Sequence, residues 1–302
     1  MAPVLGISQM RDGFEWDEAL SESLTAWHSG LLTLLAFEPN RSPKLIGTAF
    51  IVGAHGDHAV VVSAAHNFHE GVLNAQNPKR HRHPSTLPEF LREISVDRQR
   101  LHVVYRVNDH IEACVIVSAA WDKMSDLAVF TVAPQNIKDQ GVFKNYYRLE
   151  HVDPKVGDLV GMIGYGDMAV VENNRDGESQ TFSMLSRLIL RKGRVRTVFP
   201  DGNGLCRTHC IETTIPIFNG MSGGPAFLIP EGNADIVPFG LISHDPESEI
   251  SIEQKNDRSQ SGASIAACLP IDVTNLGDGK RGIRFQLADI SFARNPEFGA
   301  NT

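Results

Sequence analysis

Phe218-Asn-Gly-Met-Ser-Gly-Gly-Pro-Ala-Phe227 is the stretch on which the reading of this chain turns. A serine hydroxyl becomes a nucleophile only beside a base, and it needs backbone N–H donors aimed at the oxyanion it creates. Glycines at 220, 223 and 224 let the main chain turn tightly and let a substrate carbonyl approach the N–H groups of Gly220 and Ser222. The apolar run from Pro225 to Ile229 reads as a strand that anchors the loop. The competing reading is a Gly-rich hairpin with an incidental serine.

The base has to be one of twelve histidines. His66 ends Ala59-Val-Val-Val-Ser-Ala-Ala-His66, a buried-strand pattern whose small residues lead into a polar turn, so its imidazole sits at a strand end on rigid support. Alternatively it caps that turn. The group His55, His58, His66 and His69 raises a metal reading, but no spacing in it matches a known ligand pattern, so neither metal nor cofactor is expected. An imidazole acting as base needs its other nitrogen held by a carboxylate. Asp126 opens the apolar run Asp126-Leu-Ala-Val-Phe-Thr-Val132 and belongs at its rim, with Asp122 in the preceding turn as rival.

Short apolar runs separated by Gly, Asn, Asp and Pro recur along the chain. They predict strands over 31–37, 45–52, 58–63, 101–107, 111–118 and 127–132, then over 158–163, 182–190, 193–199, 208–214, 226–229, 236–242 and 263–269. The break near 133–153 suggests two successive antiparallel barrels or sandwiches. The spacing of Phe14, Trp16, Leu20, Leu24 and Trp27 predicts an N-terminal helix. Residues 73–100 read as a polar, basic surface insertion and 173–179 as a polar loop. The expected division is an N-terminal extension over 1–30, a first barrel over 31–140, a second barrel with the nucleophile over 141–275, and a C-terminal helix or tail over 276–302.

Twenty-eight Lys and Arg against 36 Asp and Glu leave a formal charge of −8, which argues against nucleic acid as the main partner. No apolar run approaches the roughly 18 residues that span a bilayer, and the N-terminal residues lack the pattern of a signal peptide. The expectation is a cytoplasmic protein without a membrane partner. Cys114, Cys206, Cys210 and Cys268 are scattered and read as small buried thiols rather than disulfides or zinc ligands.

Four motifs in order, Gly47-Thr-Ala-Phe-Ile-Val52, Ser63-Ala-Ala-His66, Asp126-Leu-Ala-Val129 and Gly220-Met-Ser-Gly-Gly-Pro225, resemble the chymotrypsin-fold, trypsin-like serine peptidases. The likeness covers roughly residues 30–275 and is nearer to intracellular and HtrA-like bacterial branches than to digestive trypsins. It implies two six-stranded β-barrels with the active site between them. The expected activity is serine endopeptidase, with His66, Asp126 and Ser222 catalytic and an oxyanion hole of Gly220 and Ser222. Protein or peptide substrates follow, with an activating partner protein as a further possibility. The alternatives are a catalytically silent binding protein of the same fold, or a peptidase gated by a partner or effector.

Departures from the digestive pattern matter. Met221 stands where digestive enzymes carry the acid that pairs with a newly cut N-terminus, and Pro216 stands where trypsins bind Arg or Lys. The resemblance puts Ser243 beneath Asp126 and His244 and Asp245 in the cleft. A histidine there suits an acidic or Gln side chain, whereas Asp245 with Glu247 and Glu249 suits basic substrates. On a third reading these are solvated loop residues.

Overall fold

The computed structural model describes residues 30–37, 43–67, 101–107, 110–135, 142–176, 179–204, 206–229, 236–244, 264–277, 280–287 and 290–294. The N-terminal helix expected over 12–27 and the insertion over 73–100 lie outside them, as does Asp245.

The first barrel is built from β1 (Leu31–Phe37), β2 (Pro43–His55), β3 (His58–Ala64), β4 (Leu101–Val107), β5 (His110–Asp122) and β6 (Leu127–Pro134). All neighbours are antiparallel, in the order β5-β4-β1-β2-β3-β6, and pairing of β5 with β6 closes the ring. The second barrel comprises β7 (Leu159–Asp176), β8 (Ser179–Phe199), β9 (Cys210–Thr213), β10 (Pro225–Leu228), β11 (Pro238–His244) and β12 (Ser264–Cys268), closed in the order β10-β11-β12-β9-β8-β7. The chain is therefore an all-β, chymotrypsin-like double barrel.

Each barrel fills its interior with its own apolar side chains: Ile51, Val61, Trp121 and Phe130 in the first, Met162, Ile211, Met221 and Ile242 in the second. A third cluster joins them, packing Leu31, Phe50, Val62 and Leu127 against Ile163, Leu190, Phe227 and Leu241. β3 shows why its valines run together instead of alternating. Val61 faces the barrel interior and Val62 the seam, so both faces are buried toward the end of the strand, while Val60 nearer its start is exposed. The seam fixes the end of β3, which leads to His66, against β10, which follows Ser222.

Three expectations are corrected. The strands expected over 182–190 and 193–199 are one strand, β8, because Arg191 is buried and Gly193 packs closely against Thr214 and Ile215 instead of turning. The loop expected over 173–179 is largely strand, since Asn174 pairs with Thr181 and Asp176 with Ser179 across the β7–β8 hairpin. Residues 276–302, expected as a helix or tail, hold β14 (Lys280–Phe285) and β15 (Ile290–Arg294), and β14 pairs with β13 (Ile271–Gly277), which lies mostly within the 141–275 expected for the second barrel but forms a separate two-stranded sheet. β15 returns to the first barrel, where Ile290 faces Asp122 and Arg294 faces Ser118 on β5. The four cysteines are free and buried.

Candidate active site

His66 lies in the helical turn that follows β3, and Asp126 is the last residue before β6. β3 and β6 are paired up to Ala64 and Leu127, which brings the two side chains to the same barrel rim. Two backbone contacts lock the arrangement. Ala65 N–H donates to the Asp126 carbonyl at 2.9 Å, and His66 N–H donates to Asp126 Oδ1 at 3.0 Å. Asp126 adopts φ 50°, the left-handed region that Asp tolerates better than most residues. His66 Nδ1 faces both carboxylate oxygens, at 3.0 Å from Oδ1 and 2.9 Å from Oδ2.

Asp126 is 3% exposed. Burial pushes its carboxyl up, but His66, His244 and the Ser243 hydroxyl together outweigh that and hold it below the usual carboxylate range. Asp122 is also buried, yet its carboxylate serves its own turn, accepting Met124 N–H at 2.8 Å and the Ser125 hydroxyl at 3.0 Å.

On the other side of the seam, Phe218-Asn-Gly-Met221 forms a tight turn in which Met221 N–H donates to the Phe218 carbonyl at 3.0 Å. Gly220 has φ 94°, the conformation a type II turn requires at its third residue. Gly223, at φ 86°, has no room for a Cβ, which would collide with Ser63 Oγ and the Thr48 carbonyl. Met221 is fully buried in the second barrel's core and anchors the loop from beneath. Among the described residues, the N–H groups of Gly220 and Ser222 have no protein acceptor. The Ser222 hydroxyl donates to the Ser243 carbonyl at 3.3 Å.

The first barrel grips this loop through residues to which the sequence reading gave no role. Thr48 N–H donates to the Ser222 carbonyl at 2.9 Å, and Asn67 Nδ2 donates to the same oxygen at 2.7 Å. The Thr48 hydroxyl donates to the Gly220 carbonyl at 2.6 Å and accepts from Tyr165 N–H at 2.8 Å. Thr48 stands inside the Gly47–Val52 motif and Asn67 beside His66, but neither position carries a local signal of these contacts. Behind the loop the buried Arg191 donates to the Pro216 carbonyl at 3.1 Å and lies 4.1 Å from the Phe218 ring centre.

Ser243, on β11, donates its hydroxyl to Asp126 Oδ2. His244 sits beside His66, with ring centres 5.0 Å apart. Pro216 is buried at the base of the loop that carries Ser222. His66, Asp126 and His244 bring three donor atoms within 4.8 Å of one another. The Ser243 hydroxyl occupies the space between His244 and Asp126, however, so the group is a hydrogen-bond network rather than an ion cage. Among the described residues, no helix is long and apolar enough to cross a membrane.

Residues 47–234 match the family model of the trypsin-like peptidase domain. No curated protein matches the chain. Among solved structures it is similar to a protease from M. tuberculosis in its active form, with 16% identity over 87% of this chain and 89% of that one and a TM-score of 0.42. It is also similar to a thermostable serine protease from an extremophilic microorganism, with 12% identity over 80% and 92% of the two chains and a TM-score of 0.44. The double barrel, its seam and the family match together give the conclusion that this chain belongs to the trypsin-like peptidases, which are serine hydrolases.

Proposed function

We propose that the chain is an endopeptidase that cleaves proteins with Ser222 as nucleophile, His66 as base and Asp126 as the acid that orients it. The observation that carries this is the buried Asp126 carboxylate facing His66 Nδ1 at 2.9 and 3.0 Å, which leaves Nε2 to take a proton. Ser222 rotates about χ1 from the Ser243 carbonyl toward that nitrogen, and Oγ then bonds to the scissile carbonyl carbon as its proton passes to His66. The N–H groups of Gly220 and Ser222 receive the oxyanion. The C–N bond breaks as His66 returns the proton to the leaving amine, and water releases the acyl group by the same route. The ordered turn at Gly220 and the absence, among the described residues, of protein acceptors for these two amides support an oxyanion hole that exists before substrate arrives.

A fluorophosphonate probe, which phosphonylates an activated serine with loss of fluoride, tests the reading. Labelling of the wild type and its loss in Ser222→Ala are expected. Equal labelling of both proteins would overturn the assignment of the nucleophile, and an unlabelled wild type would favour the silent or gated alternatives.

A further inference from the structure

The side chain of His244 is joined to Asp126 by a route that the roles above leave unused. The Asp126 carboxylate is ionised and therefore only accepts hydrogen bonds. The Ser243 hydroxyl spends its one hydrogen on Asp126 Oδ2. Its oxygen also meets His244 Nδ1 at 2.5 Å, so Nδ1 must carry a hydrogen and donate to Ser243 Oγ. Donors then run in one direction, from His244 Nδ1–H to Ser243 Oγ–H to Asp126 Oδ2, the oxygen that His66 Nδ1 approaches from the other side.

We propose that His244 is a positioning residue of the peptidase reaction, a second imidazole that acts through Ser243 to hold the Asp126 carboxylate in line with His66. The proposal rests on the reading of Ser222, His66 and Asp126 given above. A serine hydroxyl is a rotor, and its proton points wherever the best acceptor lies. With His244 donating into Ser243 Oγ, that proton is directed to Asp126, and successive donors polarise one another.

The charge of His244 matters as much as its proton. Two titratable groups act on it electrostatically, Asp126 and His66. Asp126 lies in the turn before β6, with Nδ1 3.7 Å from Oδ2. His66 lies after β3 with its ring 5.0 Å away. Ser243 precedes it on β11 and bonds its Nδ1. Burial lowers the pKa of His244, Asp126 pulls it back up, and His66 lowers it again, with a net fall below the usual histidine value. His244 is therefore neutral near pH 7. Protonated, it would set a cation beside the imidazolium that forms when His66 takes the Ser222 proton, and would oppose that step.

The test is the rate of fluorophosphonate inactivation against pH, because this small probe lacks the peptide side chains that a pocket-lining residue would contact. His244→Phe, which keeps a ring but no donor, is expected to react about tenfold more slowly above pH 7, the loss of one linked hydrogen bond. His244→Asn, whose Nδ2–H restores the donor, is expected to recover part of that loss. The wild-type acid limb should steepen toward a slope of about two as both imidazoles protonate, while both variants fall with a slope of about one. His244→Phe reacting like the wild type, or His244→Asn keeping the steeper limb, would overturn the proposal while leaving Ser222, His66 and Asp126 in place. An inert wild type would overturn both readings.

Discussion

The Thr48 hydroxyl donates to the Gly220 carbonyl at 2.6 Å, so a side chain of the first barrel holds the turn that presents Ser222 from the second. The same oxygen accepts Tyr165 N–H from β7, so that one hydroxyl ties the first barrel to two points of the second. Thr48→Val keeps the shape and removes both bonds. It should cost about 1–3 kcal/mol in urea unfolding, since a buried N–H is left unsatisfied. Probe labelling should slow as well, and labelling at the wild-type rate would show that the turn keeps its form without Thr48.

The two buried acids near His66 should separate cleanly. Asp126→Asn should lower turnover by about 10⁴, because the imidazole loses the partner that fixes its tautomer. Asp122→Asn should instead weaken the fold by about 1–3 kcal/mol through the turn bonds it makes to Met124 and Ser125, with turnover far less affected. Steady-state rates beside denaturation curves for both variants check the assignment, and reversed effects would make Asp122 the acid.

His66→Ala and Ser222→Ala should each remove nearly all turnover, and combining them should add little, because the three residues act as a unit. A double variant much slower than either single one would show independent contributions.

Activation should not require a new N-terminus. Digestive enzymes order their oxyanion loop with an ion pair beside the nucleophile, whereas here that position is Met221, fully buried among Val160, Ile215 and Ala226. Gly30 is held on the first barrel, its carbonyl accepting Ile51 N–H at 2.8 Å. Probe labelling of the intact chain and of one trimmed before Gly30 should be alike. Met221→Ala should cost about 2–5 kcal/mol and slow labelling, as a core cavity opens under the loop. Strong activation on trimming would contradict the packing account.

Stability should fall on acidification. His244 titrates below its ordinary value of 6.5, so under that pH the unfolded chain binds the proton more readily, and its contribution is lost as pH falls through the folded value. Asp126, also lowered, adds its own loss as pH falls below 3.8. Urea midpoints at neutral pH and at about pH 5 should therefore differ more for the wild type than for His244→Asn. An equal difference would remove His244 from the account.

The fold and the centre of the site were legible because their signals are local. Glycines at 220 and 223 announce a turn that only glycine tolerates, and the small residues before His66 announce a strand end. Contacts made across the seam left no such trace. Thr48 and Asn67 meet Ser222 only after two barrels have folded and packed. Nothing local joins 182–190 to 193–199, because the burial of the polar Arg191 between them depends on the distant Pro216 and Phe218. β14 escaped notice because its Ile283 and Arg284 are both exposed, leaving no apolar alternation to read.

The return of β15 to the first barrel has a consequence for how the enzyme is born. The segment Ser118–Asp122 of β5 pairs with β6 on one edge and with Ile290–Arg294 on the other. While the chain is being synthesised, that second edge waits bare until Ile290–Arg294 has followed it out of the ribosome. An open strand edge is sticky and pliable, and this one runs straight into the Asp122 turn that presents Asp126. Closure of that edge, and with it the support beneath Asp126, is thereby postponed until β15 has been made.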